Sequence, residues 1–167
     1  MQIRVILLMV VMLVTGFALA QQSMQQPMVT SPAGANFVTS PALPDCYSSV
    51  LERGDPKGSG SVTLVKLTSG CVVPRHWHSA NEELTFTSGT GQIEMAGGQP
   101  QTLSAGSYVY NPARHVHQVT CKDSCTFYRT VDGPIDIHYV DSAGNEIAPA
   151  TALAAFGEHP GSAVAQK

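Results

Sequence analysis

Between Cys46 and Val140 the chain is cut into short β-branched or alternating runs by turn residues, and this punctuation restricts its fold more than any other feature. The runs cover residues 48–51, 61–68, 83–87, 92–95, 102–103, 108–110, 116–120, 126–131 and 135–140. Between them stand turn signals: Gly54-Asp55-Pro56-Lys57-Gly58, Ser69-Gly70, Ala96-Gly97-Gly98, Gly106, Pro112 and Gly133-Pro134. No stretch in this region carries a convincing amphipathic helical period. The pattern predicts an all-β sandwich or barrel.

The flanks differ in character. Arg4, the apolar run over 5–14 and the small-x-small end Ala18-Leu19-Ala20 read as an export signal cleaved after Ala20. The apolar run is short for a bilayer span, so an uncleaved anchor is the lesser reading. Residues 21–42, rich in Gln, Ser and Pro, read as a flexible arm, with Phe37 and Val38 available to dock on the domain. The domain is expected over 43–142 and a tail over 143–167, with a helical turn or two at 149–156 begun by Pro149. Export implies a secreted or periplasmic protein, free of the membrane once the signal is removed. With only 13% charged residues, a net charge of -3 and no basic patch, nucleic acid and anionic surfaces are poor partners. The 4 cysteines would enter an oxidising compartment and allow three pairings. Cys121 and Cys125 can clip a turn, leaving Cys46 and Cys71 as a longer-range pair or as free buried thiols.

The chemistry lies in two segments. In the first, His76 and His78 share one face of an extended strand, with Glu82 close behind. Two imidazoles and a carboxylate suit a divalent metal; the plain alternative is two surface histidines beside an ordinary acid. Glu82 shares its face with Leu84 and Phe86, and Glu83 with Thr85 and Thr87. An inward carboxylate needs a partner, so Glu82 is the better ligand, or else it pairs with Arg75 or Arg114. The second segment, 106–121, holds another pair, His115 and His117, and can supply a third imidazole. Three imidazoles and a carboxylate leave a position open for water or substrate.

These segments resemble the paired motifs of the cupin superfamily. Gly70, His76, His78, Glu82 and Gly89 meet the first motif in full: Gly, five residues, His-x-His, three or four residues, Glu, six residues, Gly. Gly106, Pro112 and His117 match the second, but Arg114 stands where that motif has Gly and Cys121 where it has Asn. The match selects His117 over His115 as third histidine. What the resemblance implies is a double-stranded β-helix, or jelly-roll barrel, with one divalent ion at its mouth held by His76, His78, Glu82 and His117, and often a homodimer. Members of the superfamily use Mn, Fe, Ni, Cu or Zn. They include dioxygenases, isomerases, decarboxylases and non-catalytic binders. The expected function is a small-molecule oxidoreductase, dioxygenase-like, in which Glu82 serves as general base when released from the metal; the alternative is a non-catalytic module for metal or a small ligand. Trp77 is expected to pack away from the metal, His115 to lie at the rim, and Tyr108 and Tyr110 to bury against the second sheet.

Overall fold

The computed structural model describes residues 26–156. The signal over 1–20 with its cleavage at Ala20, the start of the arm and the end of the tail lie outside the described residues. The described part is almost wholly β, as the turn punctuation predicts. In chain order it forms β1 (Tyr47–Asp55), β2 (Gly60–Leu67), β3 (Val72–Trp77), β4 (Glu82–Ser88), β5 (Gly91–Met95), β6 (Gln101–Leu103), β7 (Tyr108–Asn111), β8 (His117–Cys121), β9 (Cys125–Val131), β10 (His138–Tyr139) and one helix, α1 (Pro149–Ala154). Among the described residues no helix is long and apolar enough to cross a membrane.

The strands form two five-stranded antiparallel sheets, ordered β1-β2-β9-β4-β7 and β10-β3-β8-β5-β6. Strands β8 and β9, adjacent in sequence, lie in different sheets, and each inserts between earlier strands. This interleaving is the jelly roll. Alternation sets the inner faces. On β9, Cys125, Phe127, Arg129 and Val131 are buried while Tyr128 is exposed; on β4, Glu82, Leu84 and Phe86 point in. Cys125, Phe127, Leu84 and Phe86, with Val65, Leu67, Val73, Ile93, Val109 and Val119, belong to one core, in which Phe86 and Phe127 stack at 4.8 Å. Each such side chain contributes on the order of 1.5–3 kcal/mol by leaving water.

The two ends of the barrel are built differently. At one end, disulfides join Cys46 to Cys71 and Cys121 to Cys125, so none of the four is a free thiol. Gly89 lies at this end with a φ of 80°, and a Cβ there would meet the Ser124 carbonyl oxygen at 2.2 Å. Only glycine fits that turn. At the other end lie the last residues of β3 and β7 and the first of β4 and β8, which carry His76, Asn111, Glu82 and His117.

Three expectations change. Tyr108 and Tyr110 are 59% and 50% exposed, because Val109 and Asn111 take the inward positions of β7. The run at 135–140 shortens to β10, since His138 and Tyr139 alone pair with β3, opposite Trp77 and His76, while Val140 bridges Glu146. The turn near Gly54 begins later, as β1 keeps its pairing to Asp55↔Gly60. The end of the arm docks as anticipated. Val38 bridges Ser49, the Lys66 ammonium sits 4.0 Å over the Phe37 ring, and the Tyr139 hydroxyl donates to the Ala42 carbonyl.

Candidate metal centre

A bulge turns the first ligand inward. Strand β3 pairs with β8 at Val73↔Val119 and then at His76↔His117, so one extra residue is taken up on β3 around Pro74 and Arg75. Strict alternation from Val73 would send Arg75 inward and His76 outward. The bulge reverses this, and Pro74, which has no N–H to offer a ladder, stands within it. His78, two residues on, keeps the parity of His76. The bulge also leaves Arg75 at the surface, where it meets Glu94 at 3.5 Å rather than Glu82.

The structure brings together all four residues singled out in the sequence. His76, His78 and His117 form a buried cluster whose ligand nitrogens all lie within 4.8 Å of one another. Glu82 joins it from the side of His78 and His117, with carboxylate oxygens 3.3 Å and 3.2 Å from their Nε2 atoms. His115 stays at the rim, half-buried.

Each imidazole is held by its far nitrogen. His76 Nδ1 donates to the Pro74 carbonyl at 2.6 Å, His117 Nδ1 to the His115 carbonyl at 3.0 Å, and His78 Nδ1 to the Asp136 carbonyl at 2.5 Å. A carbonyl only accepts, so Nδ1 carries the proton and Nε2 presents a lone pair. His78 Nε2 and His117 Nε2 are buried without a hydrogen-bond partner, although each lies at ion-pair distance from Glu82. Lone pairs facing a carboxylate repel unless a cation lies among them. The donor set therefore fits a divalent cation, and carbonyl-pinned imidazoles are the usual support for one.

The electrostatics agree at His76, while at His78 and Glu82 they favour an imidazolium–carboxylate pair that a metal ion would displace. Burial and the neighbouring imidazoles of His117 and His78 hold His76 well below the ordinary histidine range, in the neutral form that binds metal. Burial opposes charge on Glu82, but His78 and His117 more than offset it and keep the carboxyl well below its usual range. Burial likewise opposes a proton on His78, yet the Glu82 carboxylate outweighs it and raises that histidine.

Residues that the sequence reading passed over complete the site. Asn111 is 2% exposed and donates from Nδ2 to Glu82 Oε2 at 2.8 Å, fixing the oxygen that also faces His117. Asp136 supplies the carbonyl for His78 while its carboxylate accepts from the Ser79 N–H at 2.8 Å and pairs with His138 at 3.2 Å. Arg129 and Tyr47 line the same cavity as the histidines. The cavity spans about 330 Å³, its solvent-open mouth included. Strand parity at β7 and β9 was the signal for Asn111 and Arg129. Trp77 points away from the centre as expected, stacked on His138 at 3.8 Å, with the Arg114 guanidinium 4.7 Å over its ring.

The family described as ChrR cupin-like domain matches residues 25–136 of the chain. Over 92 residues the chain is 32% identical to the dimethylsulfoniopropionate lyase DddQ of Ruegeria pomeroyi, covering 54% of this chain and 44% of the lyase, so it spans less than half the length of that relative. The crystal structure of DddQ superposes with a TM-score of 0.55 at 20% identity, over 68% of this chain and 64% of that one. An acetylacetone dioxygenase from Acinetobacter johnsonii superposes with a TM-score of 0.59 at 23% identity, over 81% and 93% of the two chains.

Proposed function

This chain belongs to the ChrR cupin-like domain family, and from that premise we propose that it is an exported, metal-dependent enzyme of the oxidoreductase type, acting on a small oxygenated compound. His76, His78, His117 and Glu82 would hold one divalent ion, drawn from Mn, Fe, Ni, Cu or Zn. The observation that carries this reading is the set of three imidazoles whose Nδ1 atoms are committed to backbone carbonyls. When bound, the ion would supply Lewis acidity toward a substrate oxygen. The chain's own residues do the rest. The carbonyls fix each ring, Asn111 keeps the Glu82 carboxylate oriented, and the apolar core below the site limits water. Held by Asn111, Glu82 can take a substrate proton on Oε1 once that oxygen is free, which is the general-base role. The proteins named above as relatives act on small molecules, in keeping with a small cavity. The two disulfides favour an oxidising compartment, and hence removal of residues 1–20 by cleavage after Ala20.

A second reading, a non-catalytic module for metal or a small ligand, is favoured by the small size of the cavity. Oxygen uptake by the metal-loaded protein, assayed against phenols, diketones and thiols, separates the two. Uptake with one of them supports the enzyme; tight metal retention with no uptake supports the module. N-terminal sequencing of protein recovered from its producing cells tests export, and an N-terminus at Gln21 is the expected result.

A further inference from the structure

The geometry points to an anion-binding subsite beside the metal centre, formed by Arg129 and Tyr47, that takes the carboxylate end of a small organic acid. This deepens the proposed metal-centre reading and rests on it. Arg129 occupies an inward position of β9 between Phe127 and Val131, opposite Leu84 of β4 and Thr63 of β2. It is 8% exposed, and its Nε is buried with no hydrogen-bond partner. Among the described residues no carboxylate lies within ion-pair distance of it, so Glu82, the acid of the same cavity, is not its direct partner. Tyr47, at 4% exposure, brings a hydroxyl that is also buried and unpartnered. Both line the cavity shared with the three histidines and Glu82.

A guanidinium in an apolar interior is expensive unless an anion meets it. A divalent ion would deepen the imbalance, because the three imidazoles are neutral ligands and Glu82 is the only acid in the cavity wall among the described residues. The site then carries an excess of positive charge that an incoming anion would neutralise. A carboxylate suits the donors present: the planar fork of Arg129 for its two oxygens and the Tyr47 O–H as a further donor. The small cavity restricts the occupant to a short acid, or to the acid end of a longer one. Inorganic phosphate offers the same anionic oxygens and is the competing source.

The test uses the mature full-length protein, loaded with Co(II) and in parallel metal-free, titrated with acetate, acetamide and inorganic phosphate by calorimetry, with the cobalt visible spectrum as a second readout. Acetate is expected to bind, acetamide at least tenfold more weakly. Arg129→Met should weaken acetate tenfold or more, Arg129→Lys less than Arg129→Met, and Tyr47→Phe a few-fold. Equal acetate binding by wild type and Arg129→Met, equal affinity for acetate and acetamide, or no acetate binding in either form overturns the subsite. Tighter binding of phosphate than acetate overturns the organic acid as its occupant. Cobalt content measured before titration reports on the metal centre separately; acetate binding that depends on Arg129 in the metal-free protein upholds the subsite even where cobalt is not retained. Should Arg129→Met fail to fold, Tyr47→Phe, which removes one oxygen, and Arg129→Lys carry the comparison.

Discussion

His76 and His117 are register partners across β3 and β8, with ring centroids 4.3 Å apart and planes inclined at 59°. An ion held between them would tie two strands that otherwise share ladder hydrogen bonds and the packing of Val73 and Val119. Metal loading should therefore stabilise the fold, by about 4 kcal/mol at a thousandfold excess of free metal over its Kd. Thermal unfolding with and without chelator measures this, and His117→Ala should abolish both the increment and metal retention on dialysis.

Asp136 acts on the centre through its backbone carbonyl, and its carboxylate anchors that segment to Ser79 and His138. Asp136→Ala removes the acceptor for the Ser79 N–H and loosens the segment whose carbonyl pins His78. Metal affinity should fall by on the order of tenfold, while Asp136→Asn, which keeps an acceptor oxygen, should fall less. Competition against a chromophoric chelator gives the numbers.

Asn111 is the sole amide donor to the Glu82 carboxylate among the described residues. In the metal-free protein Asn111→Ala should cost about 1.5–3 kcal/mol, the range for a hydrogen bond to a charged group. Asn111→Asp sets a second carboxylate against the first and should cost more. Urea unfolding of the chelated protein checks the order.

Two pH effects follow from the coupled carboxylate and imidazole. The lowered Glu82 contributes stability that is complete above the unfolded carboxyl value of about 4.3 and is lost as pH falls through its folded value. The stability gap between chelated wild type and Glu82→Gln should therefore close in acid. His78 is raised, so its proton competes with metal from above the ordinary value of about 6.5 downward. Below that raised value apparent affinity should drop by up to about tenfold per pH unit, measured by equilibrium dialysis across pH 5–8.

Arg114 holds a φ of 63°, the left-handed conformation natural to the glycine of the motif it interrupts. Its guanidinium over Trp77 offsets part of that strain. Arg114→Ala keeps the strain and loses the stacking, so it should be less stable than Arg114→Gly by about 1 kcal/mol. Chemical denaturation of the three proteins orders them.

Much of this was readable beforehand because period and spacing are local. Turn punctuation announced the strands, and parity put Glu82 rather than Glu83 inside, as its burial beside Leu84 and Phe86 shows. The residues brought together at the mouth were legible through motif spacing. What escaped needed partners far apart in the chain. The bulge that turns His76 inward is a property of the β3–β8 pairing, and Asp136 reaches His78 from 58 residues away. Arg129 shares the inward parity of Phe127 and Val131 on β9, but its place beside the histidines depends on pairings with β2 and β4 that no local pattern carries. Tyr108 and Tyr110 misled because aromatic residues on a strand suggest burial, whereas the smaller Val109 and Asn111 hold the inner positions.

The carbonyls that orient His76 and His117 come from two residues upstream of each, whereas the one that orients His78 is made long after it. During synthesis, two of the three rings can be set by their own neighbourhoods, and the last waits for nearly the whole domain to emerge. A nascent chain therefore carries an unfinished receptacle, and three rings pinned at once exist only after the late segment around Asp136 has folded back over His78.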